Sequence, residues 1–373
     1  MRQIYLDYNA STPIDPAVAE AMRPFLEGIF GNPSSGHWAG APAKAALEQA
    51  RSQVAELLGA APDEIIFTSG GSEANNLAIK GTFFAQNRQG AHIITSAIEH
   101  PAVLAPCRFL ERLGGSVTYL PVDRTGLVDP EDVRRAITPQ TLLISIMHAN
   151  NEVGTVQPLA EIGAIAQEHG IRFHTDAAQS VGKIPTKVGE LGVDMLTIAG
   201  HKLYAPKGVG ALYLRRGMEV EPVIHGAGHE LGRRAGTESA LLAVGLGTAC
   251  ALARDLAPLS RIETLRDRLW QALRDRFGDG IALNGHPTRR LPNTLNVAFV
   301  GRIGADILGQ LREVAASTGS ACHSGRIELS PVLAAMHVPE RIGVGAIRFS
   351  LGRYTIAEEI DEVVASLASI ATV

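Results

Sequence analysis

The sequence contains few cysteines, little net charge and no long apolar run. Cys107, Cys250 and Cys322 are its three cysteines. An odd number at irregular spacing does not make a disulfide framework, which indicates a reducing compartment. No stretch approaches about 18 consecutive apolar residues, so we expect no membrane span. The first residues also lack the apolar centre and the cleavage site of a secretory signal. Together these features predict a cytoplasmic protein.

The small net charge also limits the classes of partner. A formal net charge of −4 gives no electrostatic reason to expect direct binding to nucleic acid or to an anionic membrane. No group of His and Cys residues has the spacing of metal ligands, so we expect no metal site. What the sequence does contain is apolar residues, 46% of the total, which permit an extensive core.

Strand and helix patterns alternate between about residues 60 and 215. The predicted strands are residues 65–68, 92–95, 116–119, 142–146, 172–175 and 195–198, and the predicted helices are 72–86, 101–113, 130–137 and 159–169. This alternation predicts an α/β fold with a mostly parallel sheet that is covered by helices on both faces. In such sheets the active site lies at the carboxyl ends of the strands.

The pattern changes after about residue 260 to that of a smaller α+β unit. Predicted helices at residues 261–277, 305–312 and 356–371 are interleaved with predicted strands at 294–300 and 345–351. A chain of 373 residues is long enough for one large domain and a smaller one. We therefore predict a large domain over 15–257 and a small domain over 1–14 and 258–373.

Two of the predicted strands end in an ionisable residue. The strand before Asp176 and the strand before Lys202 are both apolar, and a lysine at the end of a buried strand is costly unless its amine is used. Desolvation lowers the pKa of such an amine and makes it a nucleophile toward an aldehyde. A carboxylate on a neighbouring strand would keep a pyridine nitrogen protonated. This pair favours pyridoxal 5′-phosphate (PLP) as a cofactor. The alternative is a surface aspartate and a surface lysine that never meet.

A glycine-rich turn, residues 69–74, follows a predicted strand and begins a helix. Gly71 permits a close backbone approach, and the first turn of the helix offers free N–H groups to an anion. Ser72 would either bond a phosphate oxygen or serve only as an ordinary N-cap. Together with Asp176 and Lys202, this turn indicates a phosphate site.

Three further residues have two readings each. Cys322 lies among small, polar and basic residues, which indicates an exposed thiol that can ionise, although an inert loop thiol fits as well. His100 follows a strand, where it would either stack on a cofactor ring or lie in a solvated loop. Arg348 interrupts an apolar strand and would bind a substrate carboxylate or mark a strand edge. The other two cysteines lie in apolar helical patterns and are predicted core residues.

The motifs, in their order along the chain, resemble those of the cysteine desulfurases, which are PLP enzymes of the class V aminotransferase group. The matching segments are residues 5–13, 31–35, 99–100, 150–154, 176–180, 200–202, 234–237 and 348–353. The resemblance covers nearly the whole chain and implies the PLP-dependent transferase fold (fold type I). The long segment after Cys322 resembles the branch of the family with a mobile cysteine loop.

The resemblance implies a role for each matching residue. The cofactor would be held by Gly71, Ser72, His100, Asn151, Asp176, Gln179, His201 and Lys202, with Thr237 reaching the phosphate from the second subunit of a homodimer. Arg348 and Asn151 would hold the carboxylate of L-cysteine. Catalysis would rest on Lys202 as the residue that binds PLP and moves protons, on His100, and on Cys322. The Cys322 thiolate would take the sulfur as a persulfide, with release of L-alanine, and pass it to an acceptor protein.

Two features depart from the common family pattern. Ala199 stands where many desulfurases have a Ser or Thr that binds phosphate. The chain ends soon after its last predicted helix, where typical members continue into a tail that helps dock a scaffold protein of iron–sulfur cluster biosynthesis. The sulfur acceptor is therefore left open between such a scaffold and another biosynthetic acceptor. Residues 197–202 and 322–324 are also similar to selenocysteine lyases, which makes release of selenium from L-selenocysteine the alternative function. A non-catalytic PLP-fold binding protein is the remote alternative.

Overall fold

The computed structural model describes residues 2–86, 90–319, 322–323, 326–327 and 329–370, with only the backbone for 322, 323, 326 and 327. The helices are α1 Pro16–Glu27, α2 Gly40–Leu58, α3 Gly71–Gln86, α4 Pro101–Glu111, α5 Pro130–Ala136, α6 Leu159–Glu168, α7 Val188–Leu191, α8 Ala240–Leu252, α9 Pro258–Phe277, α10 Gly304–Gln310, α11 Pro331–Ala335, α12 Glu340–Gly343 and α13 Ala357–Ile370. The strands are β1 Ile4–Tyr5, β2 Ile65–Thr68, β3 His92–Ser96, β4 Ser116–Leu120, β5 Thr141–Ser145, β6 Arg172–Asp176, β7 Met195–Ala199, β8 Gly210–Leu214, β9 Ile281–Asn284, β10 Thr294–Phe299, β11 Val314–Ala315, β12 Cys322–His323, β13 Arg326–Ile327 and β14 Ala346–Ser350.

A seven-stranded sheet forms the centre of the fold. Its strand order is β2-β8-β7-β6-β5-β3-β4, and β8 alone runs opposite to the other six strands. The six strands predicted between residues 65 and 198 are all present, each within one residue of its predicted ends. The mostly parallel, mixed sheet of the predicted α/β fold is thereby confirmed. β8, which lies between β2 and β7, is not among the strands predicted from the sequence.

Both faces of this sheet are buried, because successive strand residues belong to different cores. In β7, Leu196 and Ile198 pack with α2, α6 and α8 on one face, whereas Met195 packs with α3 and α4 on the other. The strands read as continuous apolar runs for this reason. Cys107 and Cys250 are each 0% exposed within these two cores, as predicted.

A separate core joins the N-terminal strand to the C-terminal third of the chain. Its buried residues include Ile4 and Leu6 together with apolar positions of α9, β10, β14 and α13. The antiparallel sheet β14-β10-β9 and the parallel pair β1–β11 lie in this region. The domain boundaries at 14/15 and 257/258 stay a prediction, which this separate core supports. Among the described helices, none is long and apolar enough to cross a membrane.

Candidate active site

A cavity of about 370 Å³ lies where the parallel strands end. Its wall is built from the segments that follow β2, β3, β5, β6 and β7. Nine residues of the predicted site line it, namely Gly71, Ser72, His100, Asn151, Asp176, Gln179, His201, Lys202 and Arg348. The parallel strands bring the first eight of these residues together, because their carboxyl ends share one edge of the sheet, and Arg348 comes from β14 of the other sheet.

Asp176 is the last residue of β6 and is held by two donors. Asn75, in the second turn of α3, donates from Nδ2 to Asp176 Oδ2 at 2.7 Å, and the backbone N–H of Ala178 donates to Oδ1 at 2.9 Å. Asn75 is 1% exposed, so this contact is shielded from water. The two donors fix the direction in which the carboxylate faces the cavity.

Lys202 follows β7 in a short 3₁₀ turn. Its Nζ donates to the backbone oxygens of Asn9 and Ala10, the latter at 2.8 Å. Burial is the main cause that lowers the pKa of Lys202 to about 8, the charge of Arg348 lowers it further, and two nearby carboxylates oppose the shift. An amine with this pKa has an appreciable neutral fraction at neutral pH, as a nucleophile toward an aldehyde requires.

The N-terminus of α3 provides the anion-binding part of the cavity. Gly71 and Ser72 lie in its first turn, where backbone N–H groups have no partner within the helix. His201 lies beside them with a buried Nδ1 that has no hydrogen-bond partner among the described atoms. A Cβ added to Gly71 would lie 3.2 Å from the Cβ of Ala199, so the backbone here is already closely packed.

His100 caps α4 and faces the cavity. Its Nδ1 accepts a hydrogen bond from the N–H of Ala102 at 3.0 Å, so the proton of the neutral ring is on Nε2. Burial lowers the pKa of His100, and the charge of Lys202 acts in the same direction, whereas Asp176 opposes it. The ring is therefore held in one orientation against the cavity.

Gln179 is oriented by a buried lysine that the sequence analysis did not identify. Lys183 Nζ donates to Gln179 Oε1 at 3.0 Å and to Asn9 Oδ1 at 3.1 Å, and Gln179 Nε2 donates to the backbone oxygen of Asn9 at 3.0 Å. Burial, followed by the charges of Lys202 and Arg348, lowers the pKa of Lys183 to about 7. Because Lys183 occupies Oε1, the amide nitrogen is the group that Gln179 can offer to a ligand.

Arg348 crosses from β14 into the cavity. Its Nη2 donates to Asp7 Oδ1 at 2.7 Å, its Nη1 donates to the backbone oxygen of Asn151 at 2.9 Å, and its buried Nε has no hydrogen-bond partner among the described atoms. The guanidinium is fixed on one side and keeps unused N–H donors on the other. Such an arrangement can receive a carboxylate.

Two predicted residues do not line the cavity. Thr237 is exposed and borders a different cavity, beside Glu238 and Ser239. Its role at the cofactor phosphate of the second subunit in a homodimer stays a prediction. Cys322 forms the backbone hairpin β12–β13 with Ile327 as its paired residue, and its side chain lies outside the described part of the chain.

The residues of the cavity fit PLP. A carboxylate, a lysine of lowered pKa, an imidazole and the N-terminus of a 16-residue helix surround one cavity. His201 lines the same cavity, and its buried Nδ1 has no hydrogen-bond partner among the described atoms. The sheet and this site are those of a PLP-dependent enzyme of fold type I.

Comparisons with known proteins extend this assignment. Residues 4–363 match the family Aminotransferase class-V. The chain is 51% identical over 364 residues to cysteine desulfurase IscS of Dictyoglomus turgidum, which covers 96% of this chain and 92% of that protein. A solved NifS-like protein superposes with a TM-score of 0.93 at 37% identity, over 99% of each chain. The structure described as SspA in complex with cysteine superposes with a TM-score of 0.85 at 42% identity, over 95% of this chain and all of that one. The chain belongs to the class V aminotransferase family.

Several site residues were missed because their contacts are remote in sequence. Asn75 is separated from Asp176 by 101 positions, and Lys183 from Asn9 by 174. The contact between Lys183 and Gln179 is the one that the local sequence could have indicated, because the two residues are four positions apart. Asn9 and Asp7 lie within the matching segment 5–13 but were given no role there.

Proposed function

We propose that the protein is a PLP-dependent cysteine desulfurase, which converts L-cysteine to L-alanine and leaves the sulfur as a persulfide on Cys322. The observation that carries this proposal is the cavity in which Lys202, Asp176 and Arg348 converge at the carboxyl edge of the sheet. Its curated relatives are desulfurases, and one solved relative was determined with cysteine. We expect the enzyme to act in the cytoplasm.

The cofactor would be held at three points by this chain. Asp176 would accept a hydrogen bond from the protonated pyridine nitrogen, Gln179 would donate its amide N–H to the phenolic oxygen with help from Asn151, and the N-terminus of α3 would receive the phosphate together with His201. When bound, PLP supplies an aldehyde for the amino group of the substrate and an electron-accepting ring. His100 would stack on that ring from the side of α4.

Lys202 is placed to move the proton of the reaction. As a free amine in this cavity, the Lys202 Nζ has a pKa lowered to about 8. Such an amine can take the proton from the substrate α-carbon and return it later at another atom. The backbone oxygens of Asn9 and Ala10 would hold Nζ during this transfer.

Arg348 would orient the substrate through its carboxylate. The ion pair with Asp7 and the bond to Asn151 hold the guanidinium beside the cavity, and its buried Nε has no hydrogen-bond partner among the described atoms. Binding the carboxylate at this point fixes the remaining bonds of the α-carbon relative to the Lys202 amine.

The sulfur step requires the thiolate of Cys322. Its sulfur attacks the sulfur of the substrate, an S–S bond forms, and the C–S bond breaks with its electron pair on the departing carbon. Protonation of that carbon gives alanine, so one L-cysteine and one thiol yield one L-alanine and one persulfide, with no external oxidant. The persulfide then passes its outer sulfur to an acceptor protein.

A homodimer would complete the phosphate site through Thr237. In support, Thr237 is exposed and lies three residues from Arg234, whose Nε donates to Glu73 Oε1 in the first turn of α3 at 2.8 Å. The loop is thereby fixed to its own subunit at Arg234, while Thr237 faces outward. Such a loop can reach a second copy of the chain.

The test is a comparison of the wild-type enzyme with Cys322→Ser, with PLP bound to both. We expect the wild type to release sulfide and alanine in equal amounts in the presence of a reductant. The variant should show the absorbance change caused by L-cysteine but release little sulfide. Undiminished sulfide from the variant would refute the role of Cys322. Turnover confined to L-selenocysteine would instead identify a selenocysteine lyase.

A further inference from the structure

Glu152 contacts both described ends of the segment that carries Cys322. On one side, Ser330 Oγ donates to Glu152 Oε2 at 2.5 Å. On the other side, Gly319 packs so closely that an added Cβ would overlap the same oxygen, Oε2 of Glu152. That Cβ would also lie 3.1 Å from the Cβ of Ser330. One carboxylate oxygen is therefore the shared contact of the two chain ends.

The backbone of Glu152 is itself held in place. Its N–H donates to Asn150 Oδ1 at 2.9 Å, and its carbonyl accepts from Asn296 Nδ2 of β10 at 3.2 Å. Asn150 is 0% exposed and donates from Nδ2 to the backbone oxygen of Ile98 at 3.1 Å. The carboxylate thus extends from a turn that is fixed to two other parts of the fold.

The two chain ends are also anchored beyond their contact with Glu152. Ser330 is 1% exposed, and its Oγ caps α11 by accepting from the N–H of Val332 at 3.1 Å. On the other side, Ser317 exchanges two backbone hydrogen bonds with Arg348, at 2.7 and 3.2 Å. Ser317 stands two residues before Gly319, so the chain that leads into the segment is paired with β14, the strand that carries Arg348.

We propose that Glu152 is a positioning residue, whose carboxylate holds Gly319 and Ser330 together and thereby sets where Cys322 is presented to the cavity. This inference rests on the proposed function for the role of the Cys322 thiol. Glu152 itself touches neither substrate nor cofactor in this account, and it acts through the two ends of the segment. Gly319 is part of the same device, because any side chain there would displace the carboxylate.

The chemical requirement at position 152 is a hydrogen-bond acceptor of the right length. Burial raises the pKa of Glu152, and the hydrogen bond from Ser330 and the charge of Arg348 oppose that rise. A glutamine keeps both the length and an acceptor oxygen for Ser330. An alanine keeps neither and leaves the Ser330 hydroxyl with one acceptor fewer.

The test measures the reactivity of Cys322 as well as turnover. Iodoacetamide should alkylate Cys322 selectively in the native holoenzyme, because Cys107 and Cys250 are 0% exposed. The variants are Glu152→Ala, Glu152→Gln and Gly319→Ala. Gly309→Ala is the matched control, since an added Cβ there meets nothing within 4 Å. Alkylation rate, kcat, KM, the PLP absorbance and the melting temperature are recorded for each.

We expect Glu152→Ala and Gly319→Ala to lower kcat by about tenfold or more, because small displacements of a reacting group are costly, with KM changed less. We expect both to alkylate at least about threefold faster than wild type, because the segment is less firmly held. Glu152→Gln and the control should stay within about threefold of wild type in kcat. The PLP absorbance and its change with L-cysteine should persist in all four.

Unchanged alkylation rates in Glu152→Ala and Gly319→Ala would overturn the inference, whatever happens to kcat. Loss of PLP absorbance together with a lower melting temperature would assign Glu152 a purely structural role and would overturn it as well. These outcomes differ from failure of the proposed function, which would show as undiminished sulfide release from Cys322→Ser. Even if the proposed function fails in this way, the alkylation rates still show whether Glu152 positions the segment that carries Cys322.

Discussion

The lowered pKa of Lys202 gives the most direct quantitative prediction. The fall from 10.5 to about 8 arises mainly from burial and secondly from the charge of Arg348. A shift of this size raises the neutral fraction of the amine about 300-fold at neutral pH. The rate at which the apoenzyme binds PLP covalently should therefore rise with pH and level off above about pH 8, as followed by stopped-flow absorbance.

Substitution of the neighbouring charges should move this profile in opposite directions. Arg348→Gln removes a charge that lowers the pKa of Lys202, so its profile should move to higher pH. Asp7→Asn removes a charge that raises the pKa, so its profile should move to lower pH. Lys202→Ala serves as the control and should show no covalent phase. A wild-type rate that continues to rise through pH 10, or two variants that follow the wild-type profile, would refute this reasoning.

Three further predictions follow from other contacts of the site. Asp176→Asn should lower kcat about a hundredfold or more, because an amide cannot stabilise the protonated ring nitrogen; an unchanged kcat would contradict its assignment. Lys183 has a pKa lowered to about 7 in the folded protein, so the native state binds fewer protons than the unfolded chain between pH 7 and 10.5. Denaturant titrations should show the wild type gaining stability over Lys183→Met as the pH rises through that window, and a constant difference would argue against a buried, neutral Lys183. Thr237→Val should weaken PLP binding about tenfold through loss of a hydrogen bond to a charged phosphate, and unaltered affinity in a dimer would count against its reach across the interface.

The sequence predicted the parts of the fold that depend on short-range patterns. Strands such as β6 and β7 are continuous apolar runs that end in a polar residue, and their parallel order places Asp176 and Lys202 at one edge. The position of β8 could not be predicted in the same way. Its five residues form an apolar run, but their place between β2 and β7 depends on pairing with strands far apart in the sequence.

The site was predicted where a residue and its strand are adjacent, and missed where the support is remote. Lys202 was identified from its own strand, but the residues that hold it are Asn9 and Ala10, which are 193 and 192 positions away. Gln179 was identified through the family resemblance, whereas its orientation by Lys183 is visible only in three dimensions. The contact of Glu152 with both Gly319 and Ser330 likewise joins three separate parts of the chain.

The measurement that tests the central claim most directly is the stoichiometry of the products from L-cysteine. The purified holoenzyme would be given L-cysteine and a reductant, and sulfide and alanine would be quantified together with the absorbance of bound PLP. We expect a PLP absorbance band that changes on addition of cysteine, with sulfide and alanine formed in equal amounts. A PLP-bound enzyme that forms neither product from L-cysteine would contradict it.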